Sequence, residues 1–169
     1  MSNIGAEKIR ARSVRASISQ MTEHDLNEVV EIEELSGLSR WGWDAYYGEL
    51  VRASETIMLV ARPLYGERGV NRFSVMGFIA ARINADELHI NNMAVREDWR
   101  QAGLGSLLLG AALEEAKRRG ARRSFLEVRA SNEAAQAPYA KFGFSSNGRR
   151  ANYYTDPTED ALVMTARLL

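Results

Sequence analysis

The sequence predicts a mixed α/β domain over residues 15–169, preceded by a flexible tail at 1–14. Three observations carry this expectation. Short β-branched and apolar runs alternate with segments of helical periodicity. The chain has 169 residues, enough for one domain with a sizeable core. Its composition, 46% hydrophobic and 26% charged, is that of a globular protein, and no repeat, low-complexity tract or Pro/Gly-rich linker interrupts it.

The elements follow in chain order. "ASIS" (16–19) reads as a short strand, and "MTEHDLNEVVEIEEL" (21–35) as a helix. Thr22 is its expected N-cap, with Asp25 three residues on as in a capping box. Leu26, Val29 and Val30 form the apolar face, and Gly37 ends the helix. "WDAYYGELVRAS" (43–54) is a second, short helix. Strands follow at 56–62, 72–83 and 87–95, with turn chemistry in "GERGVN" (66–71) and at Asn84 and Asp86. From 104 to 119, Leu104, Leu107, Leu108 and Ala111 fit the i, i+3, i+4, i+7 rule. Lys117, Arg118 and Arg119 suit that helix's negative end, and Gly120 stops it. "RRSFLEVRA" (122–130) is a strand, and "SNEAAQAPYAKFG" (131–143) is a helix capped by Ser131 or Asn132. "FSSNGRRANYY" (144–154) and "DALVMTARLL" (160–169) form a closing pair of strands.

Several functional classes are disfavoured. Lys plus Arg and Asp plus Glu are both 22, so the net charge is zero, and no nucleic-acid partner is expected. No apolar run approaches the ~20 residues that cross a bilayer, so no membrane partner is expected. The basic start "MSNIGAEKIRARSVRAS" has no apolar segment behind it and does not read as a secretory signal. There are no cysteines, which removes disulfides and thiolate metal sites and is compatible with the cytoplasm. A cytoplasmic monomer or weak dimer is expected. Lys8, Arg10, Arg12 and Arg15 suit a solvated tail or a contact with an acidic partner. His24 and His89 lack metal-ligand spacing, and no metal is expected.

The segment "WRQAGLGSLLLGAALEEAKRRG" (99–120) places two glycines between a strand and a helix. A helix start offers unpaired N–H groups and the positive end of the dipole, where anions bind. Glycine lets a pyrophosphate lie on the main chain. The segment lacks the Gly-Lys-Ser/Thr of a Walker loop, and Leu108 replaces the third glycine of G-x-G-x-x-G.

The surrounding motifs, "NNMAV", "WRQAGLGSLLL" and "FLEVRASNEAAQAPYAKFGF", resemble those of the GNAT superfamily of N-acetyltransferases. Arg100, Gly103 and Gly105 match its Arg/Gln-x-x-Gly-x-Gly/Ala signature. "LEVRASN", "Y-x-x-x-GF" and "NYY" resemble the RimI type, which acetylates protein N-termini, its archetype acting on the N-terminal alanine of a ribosomal protein. The resemblance spans most of 16–169 and is strongest from 90 to 154. It implies the GNAT fold, a mixed, mostly antiparallel sheet with splayed strands flanked by helices. It also implies acetyl-CoA as co-substrate and a protein N-terminus, of a ribosomal protein among others, as partner. Two departures stand out. "GLSRWGWDAYYGEL" replaces the usual "PWS"-like segment, so a small amine is the competing acceptor. Pro138 precedes the key tyrosine and is expected to kink its helix unless that helix starts late.

By this resemblance Glu127 is the general base. Its neighbours Leu126 and Val128 suggest apolar surroundings, which raise a carboxyl pKa. An outward-facing residue, or a partner for Arg129 or Arg122, is the alternative. Tyr139 is the acid for the departing sulfur. Reference pKa values near 10 and 8.5 favour a hydrogen-bond donor over full proton transfer. A core aromatic beside Phe142 and Phe144 is the alternative. Main-chain groups of Met93, Ala94 and Val95 bond the pantetheine arm and polarise the thioester. Arg100, Gln101, Ala102, Gly103, Leu104, Gly105 and Ser106 cradle the phosphates. Asn132 contacts the cofactor arm, caps the next helix, or both. Tyr153 and Tyr154 line the acceptor entrance. Trp41 and Trp43, with Tyr46 and Tyr47, wall the acceptor channel or pack helices. Glu31, Glu33 and Glu34 form a solvated face or attract a cationic N-terminus. At pH 7 about one tenth of α-amines are neutral, against on the order of one lysine in 2,500, which suits N-terminal acetylation. A non-catalytic acyl-CoA-binding module is the alternative of another class, which retention of Glu127 and Tyr139 opposes.

Overall fold

The computed structural model describes residues 15–64 and 75–168. The forecast tail at 1–14, the turn at 66–71 and positions 72–74 of the forecast third strand lie outside the described residues.

Strand β1 (Ala16–Gln20) leads through a 3-10 turn (Glu23–Asp25) into α1 (Leu26–Leu35). The entry is fixed as expected: Asp25 Oδ2 accepts from the Thr22 N–H at 2.8 Å. Asp25 is only 4% exposed and is also held at 2.7 Å by Arg62. Helix α2 (Gly42–Leu50) follows, then β2 (Thr56–Pro63), β3 (Gly77–Asn84) and β4 (Glu87–Val95). Helix α3 (Leu104–Arg118) crosses to β5 (Arg123–Arg129), and α4 (Glu133–Lys141) precedes β6 (Ser145–Thr155) and β7 (Thr158–Arg167).

Among the described residues seven strands form one sheet in the order β1-β2-β3-β4-β5-β7-β6. Every pairing is antiparallel except β4 with β5. A parallel pair needs a crossover, and α3 supplies it. Leu104, Leu108, Leu109, Ala112, Leu113 and Ala116 are buried on one stripe of α3 and pack on Ile57, Ile79, Leu88 and Leu126 of the sheet. The opposite face carries a second core, in which Leu26, Val29 and Ile32 of α1 and Tyr46 of α2 meet Met58, Val60 and Phe78. Helices thus cover both faces of the sheet, which makes a mixed α/β sandwich.

The parallel pairing is short. It runs from Glu87↔Arg123 to Ile90↔Leu126 and stops, although β4 continues to Val95 and β5 to Arg129. A bulge accompanies the separation, because Ala80 faces Asn92 while Ala81 faces Ile90, leaving Asn91 as the extra residue. Beyond it the two strands diverge and leave an open edge.

Candidate active site

The open edge of β4 forms one wall of the site. Arg96 N–H donates to Met76 O at 2.9 Å, continuing the register in which Phe78 faces Ala94. Hydrogen-bonded pairs alternate along an antiparallel ladder. Ala94 therefore turns its main chain toward β3, and Met93 and Val95 turn theirs toward the gap. The Val95 carbonyl already accepts from Arg100 Nε at 3.0 Å. Of the three residues expected to offer main-chain groups to a ligand, only Met93 and Val95 point them the right way.

The Gly-rich bend closes the end of this edge. Gln101 has φ +60° and Gly103 has φ +82°, and Gly103 is the N-cap of α3. The first N–H tied back into the bend is that of Leu107, which donates to Gly103 O at 3.1 Å. Among the described residues no side chain caps the helix. The N–H groups of Leu104, Gly105 and Ser106 thus stand at the positive end of a long helix dipole. A Cβ added at Gly105 would meet no atom within 4 Å. The fold itself does not require glycine there, whereas a ligand lying on the helix start does.

A cavity of about 470 Å³ runs along this wall. Met93, Ala94, Val95, Arg100, Gln101, Gly103, Leu104, Gly105, Ser106 and Asn132 all line it. Ala102, between two left-handed residues, does not. Asn132 is also the N-cap of α4, where its Oδ1 accepts from Ala135 N–H at 3.1 Å, so both roles foreseen for it are geometrically open. Tyr139 lines this cavity too, and Ser36, Leu38, Trp99, Ala134, Ala135 and Pro138, which were not foreseen, complete the lining.

A second cavity of about 350 Å³ lies where β4 and β5 part. Trp41, Asn91, Asn92, Glu127, Arg129, Tyr153 and Tyr154 line it. The two cavities share Met93, Asn132, Ala135 and Tyr139, together with Ser36 and Leu38. Tyr139 therefore stands at their junction. It is only 7% exposed, and its ring rests on Phe144 at 5.9 Å. Among the described residues no group hydrogen-bonds its hydroxyl. Burial, reinforced by Tyr154, pushes the Tyr139 phenol up to about 12. It is a firmly protonated donor. Tyr154 is raised to about 12 as well, by burial and the neighbouring Tyr153, and its ring lies under the Arg129 guanidinium at 4.2 Å.

Three expectations need correction. Glu127 does not sit in apolar surroundings. Strand alternation sends Leu126 and Val128 into the α3 core, while Glu127, 27% exposed at its side chain, pairs with Arg150 at 3.2 Å. Trp43 lines neither cavity. Two residues on a helix turn by about 200°, which carries Trp43 away from Trp41 to stack on Tyr47 at 5.1 Å. Glu33 is not solvated: it is 1% exposed and accepts from Trp41 N–H at 2.8 Å and Gly42 N–H at 3.1 Å, at the start of α2. As for Pro138, helix α4 starts at Glu133 and runs through it to Lys141.

An open strand edge that ends on an uncapped glycine bend is a geometry that suits a long ligand with an anionic head. The model of the acetyltransferase (GNAT) family matches residues 25–144, and the chain belongs to that family. It is an N-acetyltransferase of the RimI type. A Bacillus subtilis (strain 168) protein, provisionally named a ribosomal protein bS18-alanine N-acetyltransferase, is 37% identical over 150 residues, covering 89% of this chain and 94% of that one. The crystal structure of the ribosomal-protein-S18-alanine N-acetyltransferase of Escherichia coli superimposes with a TM-score of 0.77 at 29% identity, over 91% of this chain and 94% of that one. Arabidopsis thaliana NAA60 in complex with acetyl-CoA shares the fold, with a TM-score of 0.78 at 16% identity over 90% and 98% of the two chains.

Proposed function

We propose that this enzyme transfers the acetyl group of acetyl-CoA to the α-amine of a protein N-terminus, with an alanine-starting ribosomal protein as the model acceptor. The observation that carries the proposal is the junction of the two cavities, where Tyr139 and Met93 belong to both and Glu127 to one. The larger cavity suits the carrier: its uncapped helix start meets the pyrophosphate, and the Met93 and Val95 main chain meets the pantetheine arm. The smaller cavity suits the acceptor. The names of the bacterial relatives support this choice of acceptor.

The chemistry is direct acyl transfer. The acceptor enters as an ammonium and gives one proton to the Glu127 carboxylate, directly or through a water. The freed nitrogen attacks the thioester carbon, forming the C–N bond. A main-chain N–H of β4 stabilises the oxyanion. The C–S bond then breaks, its electron pair stays on sulfur, and Tyr139 O–H donates a hydrogen bond to the thiolate. Full transfer of the Tyr139 proton to a thiolate of reference pKa 8.5 is uphill by about 3.5 units, about 5 kcal/mol. The tyrosine thus acts mainly as a donor: the attacking nitrogen loses its second proton as the amide forms, an equivalent proton converts the thiolate to free thiol, and Glu127 returns the first proton to solvent.

Incubation with acetyl-CoA and a peptide starting with alanine is expected to release free thiol and add about 42 Da, an acetyl group less the hydrogen it replaces, to the peptide's α-amine. No release across a varied panel of N-terminal peptides would remove the proposal. Faster turnover of small amines than of any peptide would reassign the acceptor.

A further inference from the structure

We infer that buried Glu33 supplies the fixed negative charge that makes the smaller cavity prefer a cationic amine. This rests on reading that cavity as the acceptor site. Glu33 lies directly behind the cavity wall. Besides Trp41 and Gly42, its Oε1 accepts from Tyr46 O–H at 2.8 Å and from Asn92 Nδ2 at 3.2 Å. Asn92 also donates to the Tyr46 oxygen at 2.8 Å, so that oxygen's accepting capacity is in use. The carboxyl group is surrounded by four donors and has no free acceptor to which it would give a proton. Two of its partners, Trp41 and Asn92, line the acceptor cavity.

The other charges at this cavity cancel. Glu127 is matched by Arg150 at 3.2 Å, and Arg129 by Glu159 at 3.3 Å. Among the described residues no cation pairs with Glu33. Its charge is therefore the one left to project into the cavity, and burial protects it from screening by salt. Hydrogen-bond donors make a buried anion tolerable without neutralising it. A carboxylate of this kind draws in an ammonium and leaves a neutral isostere unaffected. Glu33 touches no reacting atom in this scheme and is a positioning residue for the acceptor.

The test compares two ligands at pH 7, where an α-amine is mostly ammonium. One is a peptide starting with alanine, the other the same peptide with a hydroxyl in place of its α-amine. Their Kd values are measured on the enzyme loaded with coenzyme A, for the unaltered protein and for Glu33→Gln. The amino peptide is expected to weaken about tenfold, the order of a unit charge acting through the cavity wall at an effective dielectric near 20. The hydroxy peptide is expected to change less than about twofold. Equal weakening of both ligands, or none, overturns the inference, because a merely structural role moves both together. Should Glu33→Gln fail to fold, the unaltered protein still decides. Its preference for the amino peptide is expected to survive about 0.5 M salt, and its loss there would assign the preference to exposed charges and overturn the inference. If the unaltered protein acetylates no peptide, the proposed function falls and this inference with it.

Discussion

Replacing Tyr139 by Phe removes one oxygen from the junction of the cavities and leaves the ring on Phe144. Because no described group hydrogen-bonds the hydroxyl, folding loses little, and Tm at pH 7 is expected to stay within about 2 °C. Catalysis loses a hydrogen bond made only when charge gathers on sulfur. Such a bond to a charged group contributes about 1.5–3 kcal/mol, so kcat is expected to fall about 10- to 150-fold. KM for acetyl-CoA is expected to change less than about threefold, since the interaction belongs to the transition state. Because the phenol is raised to about 12, its ionisation adds no basic limb to the kcat profile of the parent enzyme below about pH 10. Thiol release under saturating acetyl-CoA, followed from about pH 6 to 10, measures all of these. An unchanged kcat would refute the role of Tyr139. A loss that resides in KM alone would make the hydroxyl a binding group.

Further outcomes are expected elsewhere. Glu127→Gln lowers kcat/KM for the peptide by about 100-fold or more, and its residual rate climbs with pH toward the amine's own pKa near 8; pH–rate profiles of the two proteins check this. Gly105→Val raises the Kd for acetyl-CoA at least about tenfold with little change in Tm, because a Cβ at this position enters ligand space and meets no neighbouring element within 4 Å; calorimetric titration and melting separate the two effects. Arg62→Leu leaves the buried Asp25 carboxylate without its cation and lowers stability by about 3 kcal/mol, read by urea unfolding. Tyr139 is raised from 10 to about 12 in the fold, so its contribution is complete below pH 10 and is lost as pH rises toward 12. By linkage the loss reaches about 2–3 kcal/mol, and Tyr139→Phe is expected to be less sensitive to alkali over that window in the same unfolding assay.

The chain determined its elements and their order through local patterning. Leu104, Leu107, Leu108 and Ala111 declared α3 by their spacing, although the buried stripe takes Leu109 and Ala112 and leaves Leu107 exposed; Thr22 and Asp25 declared the start of α1, and the glycine bend announced a place for an anion. The tertiary structure alone decided what each polar side chain would face. Leu126 and Val128 surround Glu127 in sequence, yet pleating turns them to the opposite side of the sheet, and the residue that meets the carboxylate is Arg150, two strands away. Glu33 reads as one more solvated acid in "EIEEL", but the next helix folds its first N–H groups onto it. The open edge of β4 needed both the register with β3 and the place where β5 diverges. Periodicity is a property of neighbours along the chain, whereas charge pairing and cavity shape belong to neighbours in space.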